Sequence, residues 1–91
     1  MDISETDLKQ QLKDYLSVKG IFNYHLLQGI GSYKGIPDRI LHYGGRVIYL
    51  EIKKPGGKLS KYQVVFEQQC CLDDIRYVVV HSLEELQEAL K

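Results

Sequence analysis

The stretch "GIPDRILHYGGRVIYLEIKKPGGKLS", residues 35–60, decides how this chain folds. Two runs rich in aliphatic and aromatic residues, 38–43 and 46–53, flank the pair Gly44-Gly45. Two consecutive glycines suit the positive backbone angles of a two-residue hairpin turn, so the runs are expected to pair as antiparallel strands. With that turn Tyr43 faces Arg46, and counting outward places Asp38 opposite Glu51. Alternation along the second strand puts Leu50 and Ile52 on an inward face and Glu51 with Lys53 on the other. Directly opposed residues share a face, with Cβ atoms roughly 5 Å apart.

That register carries chemistry. Two opposed carboxylates repel unless a cation lies between them or one takes up a proton. A hard divalent ion such as Mg²⁺ takes oxygen ligands, and one or two carboxylates suffice to hold it. A lysine beside the pair can act on an attacking water or neutralise charge building on a phosphate oxygen. In an ordinary hairpin, Glu51 and Lys53 would be an exposed ion pair of small consequence, and Asp38 a turn residue. An acid facing an acid, with Pro37 setting the strand entry, argues against that.

Outward from the hairpin, the chain reads as one domain, 1–91, with no internal repeat or linker. Leu8, Leu12, Tyr15 and Leu16 fall at helical spacing over 4–19, with Ser4 as N-cap and Gly20 as the stop. Residues 21–28 read as a strand and the glycine-rich 29–37 as an exposed loop. Ser60 and Gln63 form a capping-box pattern that opens a helix over about 60–73. Residues 75–81 read as a strand buried on both faces. Ser82 and Glu85 repeat the capping-box pattern before a last helix with Leu83, Leu86 and Leu90 on one side. The expected class is α/β, in the order α-β-β-β-α-β-α. A last strand reached through a helix implies a mixed sheet, because a parallel neighbour needs such a crossover.

Composition excludes some classes. No apolar run approaches the roughly 20 residues that span a bilayer, and the N-terminus lacks the layout of a signal peptide, so an intracellular protein is expected. Cys70 and Cys71 are adjacent, which suits neither a disulfide between them nor a metal site; reduced thiols in or near a helix are expected. The twelve basic and twelve acidic residues cancel, but they are segregated. Residues 32–63 carry Lys34, Arg39, Arg46, Lys53, Lys54, Lys58 and Lys61 against Asp38 and Glu51 alone. A polyanion responds to such a face rather than to the net charge, although the same lysines could merely be solvated.

Gly35-Ile36-Pro37-Asp38, a hairpin and then Glu51-Ile52-Lys53 together resemble the signature of the PD-(D/E)XK nucleases. The glycine-rich loop before the proline-aspartate and the segment Leu59-Ser60-Lys61-Tyr62-Gln63 are similar to the VRR-NUC (virus-type replication-repair nuclease) branch. The resemblance covers nearly the whole chain, as in compact stand-alone members from phages and bacteria. It implies a restriction-endonuclease-like core and a Mg²⁺- or Mn²⁺-dependent DNA endonuclease in the bacterial cytoplasm or a phage-infected cell. It also implies a homodimer acting on branched DNA such as four-way junctions. Asp38 and Glu51 would be metal-binding carboxylates, joined by the backbone carbonyl of Ile52. Lys53 would act on the nucleophilic water and on transition-state charge. Gln63 would stand near the lysine, with simple closure of the Ser60 capping box as the alternative. Glu5 resembles a further acid that approaches the metal through water, although acids favour a helix's first turn in any case.

Lys34, Lys54, Lys58 and Lys61 are candidate phosphate contacts, adding affinity rather than sequence choice. Family members often carry an arginine or similar polar residue where this chain has His25, which is expected to pack within its strand. His42 and His81 show no ligand spacing. Two other classes compete with an enzyme: a nucleic-acid-binding module that keeps the scaffold without turnover, and a small interaction protein with a solvated basic strip.

Overall fold

The computed structural model describes residues 3–91. Helix α1 (Glu5–Val18) is followed by strands β1 (Phe22–His25), β2 (Arg39–Tyr43) and β3 (Arg46–Ile52). Helix α2 (Lys61–Leu72), strand β4 (Arg76–Val80) and helix α3 (Leu83–Ala89) complete the chain. The four strands form one sheet in the order β1-β2-β3-β4. β1/β2 and β2/β3 are antiparallel, whereas β4 lies parallel to β3. This is the expected element order with the expected mixed sheet.

The hairpin turn sets the register. Gly44 and Gly45 have φ of 61° and 76°, the left-handed pair that a tight turn matching the strand twist requires. Tyr43 therefore pairs with Arg46 and Arg39 with Leu50. Extending that register by one rung places Asp38 opposite Glu51.

Leu8, Leu12 and Leu16, each one helical turn apart on α1, pack with Leu41, Ile48, Leu50, Ile52, Val80, Leu86 and Leu90. The main aliphatic core thus lies between one sheet face and the α1/α3 layer. The alternate residues of β3 and β4 point to α2, where Phe66 stacks obliquely between Tyr49 and Tyr77, with ring centroids 5.8 and 6.1 Å away. Both sheet faces are covered over residues 48–52 of β3, while Arg46 and Val47 are exposed.

Ser4 caps α1 by accepting from the Asp7 N–H at 3.1 Å, and Ser60 and Gln63 close a complete capping box on α2. The corresponding pattern on α3 forms only by half. Ser82 accepts from the Glu85 N–H at 3.1 Å, but the Glu85 carboxylate turns to the His81 N–H and Nδ1, each 3.0 Å away. His81 Nε2 lies 3.0 Å from the Gly57 carbonyl, so the ring ties the β3–α2 connection to α3.

Two strand expectations need correction. β1 ends at His25 rather than at 28, although the Leu26 N–H still donates to the Asp38 carbonyl at 3.0 Å. The next partner in that register is Pro37, which has no N–H to continue the ladder. β4 is an edge strand with half-buried Tyr77, Val78 and Val79, not a strand enclosed on all sides. Of the two cysteines, neither bonded to the other, Cys70 is buried and Cys71 exposed.

The loop before β2 lies hard against α2. A Cβ on Gly35, whose φ is +88°, would stand 2.4 Å from the Tyr62 carbonyl oxygen. Gly44, also at positive φ, has open space around it. Gly35→Ala is therefore expected to destabilise by about 2 kcal/mol or more, lowering the melting temperature by roughly 10 °C. Gly44→Ala should cost about 1 kcal/mol. Thermal melts of the two variants check the difference, and equal losses would contradict the close approach.

Candidate active site

Glu51 sits near the end of β3 under the first turn of α2 and is 2 % exposed. Its Oε2 accepts from Gln63 Nε2 at 2.9 Å and lies 3.5 Å from Lys53 Nζ. Its Oε1 is buried and has no hydrogen-bond partner among the described residues. Lys53, one pleat further on, has a side chain only 16 % exposed, and its N–H donates to the Val80 carbonyl at 3.0 Å. An exposed surface ion pair is thereby ruled out: α2 roofs the face on which Glu51 stands.

Gln63 closes the cap and also contacts Glu51. Its Oε1 accepts from the Ser60 N–H at 2.8 Å, while its Nε2 reaches Glu51. The carbonyl end of the amide closes the capping box and the amino end orients the carboxylate. The cap thus fixes the rotamer that the site uses.

Asp38 stands just before β2. Its Oδ2 accepts from the Ile52 N–H at 2.8 Å, and its Oδ1 lies 3.2 Å from Lys9 Nζ. Lys9 is also 3.3 Å from Glu5 Oε2, one turn back on α1. Glu5 therefore joins the site through Lys9, a residue absent from the sequence-based candidates. At i+4 from Glu5 it reads as a routine helix ion pair, and only the docking of α1 against the start of β2 brings it to Asp38. Burial disfavours the Lys9 charge, but the Asp38 and Glu5 carboxylates more than offset this and raise its pKa.

His25 departs from expectation. It is exposed and lines one small cleft with Lys9, Gln28, Asp38, Arg39 and Ile52. It lies on the short outer strand, where no further strand covers it. A larger groove of about 1160 Å³ lies towards the other end of β3, lined by Arg46, Glu67, Cys71 and Arg76 among others, and includes neither Asp38 nor Glu51.

The basic candidates gather on the β3–α2 side. Lys54, Lys58 and Lys61 are exposed. Lys34 and Lys61 both lie over the Tyr62 ring, with Nζ 4.9 and 5.2 Å from its centroid, which brings Lys34 from the glycine-rich loop to join Lys61 at the first turn of α2. Arg39 and Arg46 stand at opposite ends of the hairpin strands.

Compared with protein-family models, curated proteins and solved structures, the chain has no match. Its chemistry must be read from its own geometry. Among the described residues, no group of three or more His, Cys, Asp and Glu side chains gathers around one point. Asp38 and Glu51 are two oxygen donors at facing positions of neighbouring strands, which is enough for an ion that keeps most of its waters. The partnerless Oε1 of Glu51 fits such an ion: a buried carboxylate oxygen with no donor is costly, and a hard cation or a proton would satisfy it. Lys9 and Lys53 give each carboxylate a cationic neighbour, so the pair can persist in the metal-free protein.

Burial, then the negative charge of Asp38, pushes the Glu51 pKa from the ordinary carboxylate value near 4.5 up to about 7, with Lys53 and Lys9 pulling the other way. The folded state thus holds the Glu51 proton more tightly than the unfolded chain. Its contribution to stability is full below about pH 4.5 and is lost as pH rises through about 7. With chelator present, wild-type melting temperature is expected to fall over that interval by more than that of Glu51→Gln. Parallel slopes in melts between pH 4.5 and 8 would contradict the assignment.

Proposed function

We propose that the chain is a metal-dependent DNA endonuclease with the restriction-endonuclease-like PD-(D/E)XK core, of the VRR-NUC type. The observation that carries this reading is the buried Glu51 carboxylate, with one oxygen held by Gln63 and Lys53 and the other buried without a hydrogen-bond partner, on the strand that faces Asp38. The α-β-β-β-α-β-α order and the mixed sheet support it.

Asp38, Glu51 and the Ile52 carbonyl are the groups that would hold Mg²⁺ or Mn²⁺. The bound ion would supply Lewis-acid stabilisation of a phosphate oxygen and acidify a water. The remaining work falls to side chains. The Lys53 ammonium, held against Glu51 Oε2, donates hydrogen bonds that orient the attacking water and neutralise charge developing on the scissile phosphate. Gln63 keeps Glu51 in one rotamer, with Oε1 free. Lys9 draws Asp38 and Glu5 together and places a second positive charge at the cleft. Lys34, Lys54, Lys58 and Lys61 contact the DNA backbone, so affinity falls with salt.

One such site per chain cuts one strand. Cutting two strands suits a homodimer with two-fold symmetry, and branched DNA such as a four-way junction is the substrate proposed. The competing reading is an inert nucleic-acid-binding module in which Lys9 and Lys53 are the permanent counter-ions of the acids. The buried, partnerless Oε1 favours the enzyme.

Labelled four-way junction and linear duplex, each incubated with the protein and Mg²⁺ or Mn²⁺, test the proposal. Cleaved product is expected, abolished by chelator and reduced at least about a hundredfold in Lys53→Ala. Absence of cleavage with either ion, or equal cleavage by Lys53→Ala, would sink the enzyme. Salt-dependent binding that ignores chelator would then identify the binding module.

A further inference from the structure

The loop between β1 and β2 carries an apolar side chain for which the fold has no use. Ile30 has as much accessible surface as in an extended peptide (109 %), and Leu27 is 81 % exposed. Burying an isoleucine is favourable, and none of the described residues covers this one.

The tip is nevertheless well defined. Ser32 N–H donates to the Gly29 carbonyl at 3.1 Å, and Ser32 Oγ both donates to that carbonyl at 2.8 Å and accepts from the Gly29 N–H at 3.0 Å. Ile30 and Gly31, whose φ is +89°, are the two central residues of the clamped turn. Its base is fixed by Gly35 against Tyr62, by the Tyr33 ring 6.3 Å from Phe66, and by Lys34 over Tyr62. A hydrogen-bonded arch thus holds Ile30 bare at its apex, with Leu27 and Tyr33 also exposed on its two arms.

Position and charge identify the occupant. Leu27 and Gln28 line the cleft of Asp38 and Lys9, and residues 28–36 line a hollow with Ser60, Tyr62 and Gln63. The arch therefore rises beside both halves of the candidate active site. Between Asp14 and Asp38 the chain has no acidic residue, and Lys34 stands on the arch itself. A protein partner would need a broad patch, about 800 Å² a side, whereas this loop offers a narrow apolar tip, Ile30 with Leu27 and Tyr33 behind it, above Lys34, and that shape fits a gap between stacked rings. Apolar wedges of this kind insert between base steps and unstack them, at a cost that is least where pairing is already broken.

We infer that the Gly29–Ser32 turn inserts Ile30 between the unstacked bases at the branch point of a nucleic acid whose backbone lies at the Asp38–Glu51 site. This rests on the nucleic-acid reading of that site and adds the part that selects branched over linear substrate. Inserting the side chain frees water from its surface and replaces base-on-base stacking at the step, which costs least where the stack is already broken.

Two readouts test the inference. First, Ile30→Ser is expected to lower cleavage of a four-way junction about tenfold, leave linear-duplex cleavage within about twofold, and be rescued by Ile30→Leu. Second, in the non-cleaving Lys53→Ala background, binding should brighten 2-aminopurine placed at the branch point, and Ile30→Ser should abolish the rise without preventing binding. Equal losses on both substrates, a branch point that stays dark, or Ile30→Ser converting a dimer to a monomer in sedimentation would each overturn the wedge. A protein that cuts the junction with Ile30-independent preference sinks the wedge alone. One that cuts nothing yet brightens the probe through Ile30 sinks the nuclease and keeps the wedge.

Discussion

A carboxylate buried beneath a helix, with one oxygen occupied and the other bare, is the constraint around which this small protein is arranged. Glu51 can stand there only because α2 begins where it does. Gln63 must reach Glu51 with one end of its amide while the other end closes the cap on Ser60. The first turn of α2 must in turn accept the close backbone of Gly35, which delivers Pro37 and Asp38 to the start of β2. A shift of α2 along its axis would undo the cap, the carboxylate and the entry of the second acid together. Local helix chemistry and site geometry are here one arrangement.

The two faces of the sheet divide the labour. Towards α1 and α3 lie leucines, isoleucines and valines, packed without polar interruption. Towards α2 lie Tyr49, Phe66, Tyr77 and the ionisable Glu51, and the Tyr77 hydroxyl is itself buried without a partner among the described residues. The first face supplies most of the non-directional burial that stabilises the fold. The second carries the strained electrostatics, kept in place by the first.

Much of this was legible in the sequence because it depends on neighbours along the chain. The Gly44-Gly45 turn dictates the β2/β3 register, and the register dictates which acids meet. The cap on α2 follows from the Ser60–Gln63 spacing. What escaped the sequence depends on packing between distant segments. Lys9 reads as a helix-surface lysine until α1 docks beside Asp38. His25 reads as a packed strand residue until the sheet proves to end at β1. The early end of that strand was in principle visible, since Pro37 falls opposite Leu27 once the β1/β2 register is known, but the register itself is a tertiary fact. The apolar run in β4 suggested enclosure, whereas its position at the sheet edge leaves it half covered.

The uneven lining of the two layers has a consequence for how the molecule breathes. Cys70 is the one buried residue of α2, and Val64, Val65 and Leu72 on the same helix face water, so α2 is held more weakly than α1. Segments with little apolar burial open first, well short of global unfolding. Amide protons of α2 should therefore exchange ahead of those of β3, with Glu51 losing its roof while the leucine layer beneath stays closed. The site would then be assembled and taken apart by the excursions of a single helix.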